Sequence, residues 1–185
     1  MALDASKIRV AGSGAVWYAP TGTALPTDST SALDAAFVNI GFAQDGFELD
    51  QTLKNKEVNA WQTAEVVKIV NTGITRKVMF EALEMNKTTV GLAWGGATIT
   101  AGTGGAYTLV IPNAQLTKEF VLVADWNDGA KTQRIVIPRA ALTAIPKQKL
   151  GRQDTISFSF EVQALAPTDN SNSVLVYGVD AGVNA

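Results

Sequence analysis

The sequence predicts a mainly β protein, a sandwich or barrel with one short α-helix, an extended loop and terminal arms. Three observations carry the prediction. Apolar and polar residues alternate along residues 153–164, the period of a strand with one face in a core. Turn-forming clusters, Asp45-Gly46, Asn71-Thr72-Gly73 and Asn127-Asp128-Gly129, separate short runs rich in Val, Ile, Thr and Phe. Helical spacing with a capping residue occurs once, at residues 86–95. At 185 residues the chain has the length of one ordinary domain. It is read as a single domain over 1–185, with an N-terminal arm at 1–12 and a C-terminal arm at 165–185.

Residues 8–18 read as the first strand, loosened by Gly12 and Gly14. Residues 20–35 read as a long loop, because Pro20 and Pro26 cannot donate to a ladder and Thr, Ser and Asp favour turns. A short strand at 37–42 leads to the Asp45-Gly46 turn. Residues 50–62 show no strong period and read as an extended, exposed loop carrying Asp50, Lys54, Lys56 and Glu57 and ending at Trp61.

Residues 66–70 and 74–84 read as a hairpin turning at 71–73. On its second strand Val78, Phe80 and Ala82 share an apolar face, and Lys77, Met79, Glu81 and Leu83 share a mixed one. Asn86 is a favoured N-cap; Val90, Ala93 and Trp94 then form one apolar stripe, and Gly95 ends the helix. Residues 97–100 and 107–111 flank a Gly-rich turn, and 119–125 and 132–138 flank Asn127-Asp128-Gly129. Along 153–164, Ile156, Phe158, Phe160 and Val162 point one way; Thr155, Ser157, Ser159, Glu161 and Gln163 point the other. Val174, Leu175 and Tyr177 belong to a last apolar patch, read as an arm that docks on a neighbour.

Composition narrows the function. There is no Cys and no His, which removes thiol chemistry, disulfides, thiolate or imidazole metal sites and the commonest general base near neutral pH. A net charge of -2 argues against gripping nucleic acid through its phosphates. The first ten residues, MALDASKIRV, lack the apolar core of a signal peptide, and no apolar run is long enough to span a bilayer. The expectation is a soluble product of the cytoplasm.

No motif carries catalysis. Gly12-Ser13-Gly14 lacks the third glycine and βαβ context of a dinucleotide fingerprint, and Gly102–Gly105 lacks the Lys-Ser or Lys-Thr of a phosphate loop. Asp125-Trp126-Asn127-Asp128-Gly129 brings its glycine one position early for a calcium loop. No catalytic, cofactor or metal residue is assigned, and the protein is read as a non-enzyme. The basic group Lys147, Lys149 and Arg152 is read as meeting acidic partners on other copies of the chain.

The run from Val16 to Asp50, VWYAPTGTALPTDSTSALDAAFVNIGFAQDGFELD, resembles the major tail tube proteins of siphophages, especially those infecting actinobacteria. Support continues through Asn59-Ala60-Trp61-Gln62, residues 66–84 and residues 86–94, and the general layout fits the whole chain. The resemblance implies a tail tube fold whose subunits form hexameric rings stacked into a tube, with strands closing a shared barrel around a lumen. It implies an inter-ring stacking loop at Asp50, Lys54, Lys56, Glu57 and Trp61. Lumen-facing residues would be Lys77, Glu81, Ser157, Ser159, Glu161 and Gln163. Subunit contacts would fall on Lys147, Lys149, Arg152, Val174, Leu175 and Tyr177. The implied partners are further copies of the chain, a tape measure protein and tail tip or terminator proteins. DNA would pass without specific binding, and no membrane would be involved. The implied location is the virion tail, after synthesis in the host bacterial cytoplasm. A β-sandwich module binding carbohydrate or a cell surface is the alternative, since four scattered Trp and Thr-rich loops suit one. A hydrolase built on two carboxylates is a third reading.

Overall fold

The computed structural model describes residues 4–95, 97–113, 118–169, 171–180 and 183. Parts of both expected arms, residues 1–3 and 170, 181, 182, 184 and 185, lie outside the described residues. The strands are β1 (Ser13–Pro20), β2 (Val38–Asn39), β3 (Ala43–Asn59), β4 (Val66–Ala82), β5 (Thr98–Ala101) and β6 (Tyr107–Val110), then β7 (Phe120–Asp128), β8 (Lys131–Leu142), β9 (Lys147–Lys149), β10 (Ser157–Ala164) and β11 (Leu175–Val179). One helix, α1 (Lys87–Ala93), follows β4. The main sheet has the antiparallel order β2-β1-β7-β8-β10-β4-β3, with β11 added to β8 and β9 to β10; β5 and β6 form a separate hairpin.

The sheet forks at β8. Thr132–Val136 pairs with β11, while Ala140–Leu142 pairs with β10. Pro138 lies between the two, where the β7–β8 register shifts; a residue without an N–H suits a position where the ladder breaks. The fork lets one half of the sheet fold over the other. Val16, Phe120, Leu122, Ala124, Ile135 and Ile137 from β1, β7 and β8 pack with Val78, Phe80, Phe158, Phe160 and Val162 from β4 and β10. Phe80 and Phe160 stack with ring centroids 5.0 Å apart. This is the core expected from the alternation on residues 78–82 and 158–162. A second cluster on the far side of β7 and β8 joins Ala19, Phe37, Val121, Val123 and Val136.

β1 begins at Ser13 rather than residue 8, and β10 at Ser157 rather than 153. Gly14 lies close against β7: a Cβ there would stand 2.4 Å from the Asp125 carbonyl oxygen. The helix forms as read. The Asn86 side chain accepts from the backbone N–H of Thr88 and Thr89, both at 2.9 Å, and the Thr89 hydroxyl accepts in return from the Asn86 N–H at 3.2 Å.

Three turn readings are corrected. The expected loop at 50–62 is strand through Asn59, paired residue by residue with β4. The expected turn at Asn71-Thr72-Gly73 lies inside β4. There Lys54 opposes Gly73 and Asn55 opposes Asn71, leaving Thr72 as the extra residue of a bulge. Its hydroxyl donates to the Lys54 carbonyl at 2.9 Å, which offers the local kink a partner. Asp45-Gly46 is likewise a bulge, with φ of 57° and 81°, where the β3–β4 register jumps between Gln44 and Phe47. The true turn of the hairpin is residues 60–65.

Candidate functional site

β3 and β4 form one ribbon, each strand 17 residues long, on the order of 55 Å at strand rise. Its two halves have different surroundings. From Ala43/Ala82 to Asp50/Lys77 the ribbon belongs to the body, because β10 pairs with β4 as far as Lys77. From Gln51/Arg76 to the turn, β3 and β4 pair only with each other among the described residues, which leave both outer edges of the ribbon open.

This projecting half is apolar without being buried. Leu53, Val58, Val66, Val67, Ile69, Val70 and Ile74 are all exposed, and Trp61 in the turn is 93% exposed. The register sets Glu57 opposite Ile69 and Val58 opposite Lys68, so neither face is purely apolar. A lone two-stranded ribbon is marginal in water, and its open edges are templates for pairing. Lys54, Lys56 and Lys68 are the kind of charges that discourage indiscriminate edge pairing. Of the residues expected in a stacking loop, Lys54, Lys56 and Glu57 lie on the projecting strand and Trp61 at its tip. Asp50 sits at its root, half-buried.

The expected lumen-facing residues do come together. The register sets Ser159 opposite Glu81, Glu161 opposite Met79 and Gln163 opposite Lys77. β3 adds Gln44, Glu48 and Asp50 to the same face. Lys77 Nζ donates to Glu161 Oε1 at 2.6 Å, and the Thr143 hydroxyl donates to the same oxygen at 2.8 Å. These two bonds, the lysine's first, hold the Glu161 carboxyl below its ordinary value. Ser157 departs from expectation. It is buried at 1% exposure, its hydroxyl donates to the Glu81 carboxylate, and β9 pairs alongside it with Lys149 opposite.

Lys147 and Lys149 stand opposite Ser159 and Ser157 on β9, a short strand that borders the polar face beside β10. Lys149 lies 3.3 Å from Asp154, and Arg152 is exposed nearby. The C-terminal patch is also corrected: Leu175 and Tyr177 pair with Val136 and Arg134 of their own chain and pack on the second cluster. The open backbone edge of β8 was available to them, and Val176 is left exposed. The N-terminal segment is tied to the same region, since Arg9 makes a two-pronged pair with Asp180 at 2.5 and 2.9 Å.

Sequence reasoning missed Arg134. Its side chain is nearly buried, grips Asp125 at 2.8 and 3.0 Å, and donates to the backbone carbonyls of Asp28 and Ser31 at 3.1 and 2.8 Å. It thereby fastens the long loop 21–37 to the sheet. A lone Arg inside the run from Gln133 to Ile137, opposite an Asp on the facing strand, was the available signal.

A groove of about 690 Å³ opens at the other end of the molecule, beside α1. Val38, Leu92, Leu142 and Ile145 contribute apolar wall, and Lys87 and Lys118 are its charged residues. Among the described residues no helix is long and apolar enough to cross a membrane. A family model described as phage tail tube protein matches residues 1–181. No curated protein matches the chain.

Proposed function

The chain belongs to the phage tail tube protein family, and from that premise we propose that it is the major tube subunit of a long non-contractile tail. It forms hexameric rings that stack into a conduit for DNA. Family membership makes it a structural component of the virion tail, of a kind that is generally non-enzymatic and assembles from many copies.

The observation that carries the finer reading is the projecting ribbon. A folded body that leaves so much apolar strand uncovered is incomplete as a monomer, and identical copies are the partners a tube supplies. Asp50, Lys54, Lys56, Glu57 and Trp61 then serve the contact between rings. Residues of the polar face on β4 and β10 line the lumen: Lys77, Glu81, Ser159, Glu161 and Gln163, with Ser157 supporting from beneath.

The charge of that face suits passage rather than binding. Lys77 is already paired with Glu161 and Lys149 with Asp154, while Glu48, Asp50 and Glu81 add negative charge. DNA phosphates bind tightly only where many free cations meet them. Lys147, Arg152 and the exposed edge around Val176 serve contacts between neighbouring subunits. A tape measure protein and tail tip or terminator proteins are its further partners. Electron microscopy of purified protein tests the reading. Six-fold rings or tubes are expected; compact monomers at every concentration and salt would reject it.

A further inference from the structure

We propose that the ribbon tip of one copy docks in the groove beside α1 of another copy, with Trp61 in the groove and Glu65 facing Lys87 and Lys118. The inference rests on the tube reading and adds the acceptor site to it.

The placement of the two surfaces supports it. β4 runs from the tip at Val66 to Ala82, and α1 begins five residues later. The groove is completed by the ends of β1 and β8 and the start of β7. Alternating strand direction brings these to the end of the body where β4 finishes. Donor and acceptor therefore lie at opposite ends of one ribbon. A contact between opposite ends is head-to-tail, and repeated without closure it builds an open filament.

The chemistry is complementary. The most exposed large apolar side chain among those described is Trp61, at 93%. The groove offers Val38, Leu92, Leu142 and Ile145, with room for an indole and its flanking backbone. Glu65 is the one charged residue in the turn 60–65, and both charged residues of the groove are lysines. None of the three has an ion-pair partner among the described residues. A desolvated aromatic anchor ringed by polar contacts is the usual energetic centre of an interface.

The test uses the full chain, which has no Cys of its own. A double variant, Gln62→Cys with Thr88→Cys, is assembled into tubes and oxidised. Ladders of covalent dimers and longer species on a non-reducing gel are expected, with none beyond dimer from either single variant. Trp61→Ala should raise the concentration needed for assembly by about tenfold or more. Glu65→Lys should weaken assembly, and Lys87→Glu with Lys118→Glu should restore it. Tubes that form normally without ladders, and with Trp61→Ala indistinguishable from the parent, would overturn the docking while leaving the tube reading intact. A parent protein that never assembles would instead reject the tube reading, and this inference with it.

Discussion

The inner and outer halves of the β3–β4 ribbon share two strands and one hydrogen-bond ladder, yet they do opposite things. In the inner half Val78, Phe80 and Ala82 are sealed against β7, β8 and β10. In the outer half Ile69, Val67 and Leu53 stand in water. Strand pairing alone therefore does not bury a ribbon; a third layer does. The body supplies that layer for the first half only; on the proposed tube reading the second half is completed outside the subunit.

The sharpest way to break this comparison is to remove the outer half. Gln51 and Arg76 face each other across the ladder, so an Asn-Gly turn can join them and delete residues 52–75. Assembly should be lost, while the thermal midpoint of the subunit moves by no more than about 2 °C. A large drop in the midpoint would mean that the arm belongs to the body's own core.

A matched pair of substitutions sharpens the contrast. Phe160→Ala removes a ring stacked on Phe80 and should cost about 3–5 kcal/mol, a fall on the order of 10 °C in thermal unfolding. Ile69→Ala, at a residue 61% exposed, should change subunit stability by less than about 0.5 kcal/mol and be felt only in assembly.

The smallest expected effect concerns the polar face. Lys77 and Thr143 lower the Glu161 carboxyl from its ordinary 4.5, so its ionised form favours the folded state. That contribution is fully present above pH 4.5 and is lost as the pH falls through the lowered value. Glu161→Gln lacks it, so the gap in thermal midpoint between parent and variant should close on acidification below pH 4.5. A gap that stays constant would remove the Lys77 pair from the stability of the fold.

The body was legible in the sequence because its strands have one wet and one dry face. Residues 78–82 and 158–162 alternate, and the core follows from that period. Asn86 announced the helix through a cap that the structure reproduces. The arm was not legible as strand for the complementary reason. A ribbon exposed on both faces has no dry side, so residues 51–59 carry no period to read. Asn71-Thr72-Gly73 added a misleading turn signal, absorbed as a bulge, whereas the real turn at 60–65 contains no Gly or Pro. The polar face was read from its residue types, but Ser157 is buried with its hydroxyl on Glu81, 76 residues away in sequence, a long-range fact that its own strand does not carry.

Hydrogen exchange on free subunits and on assembled tubes tests the central claim most directly. The account predicts that amides of residues 51–76 gain strong protection on assembly, while those at the centre of β7 and β8 stay equally protected in both states. Residues 51–76 exchanging at the same rate in subunit and tube would contradict it.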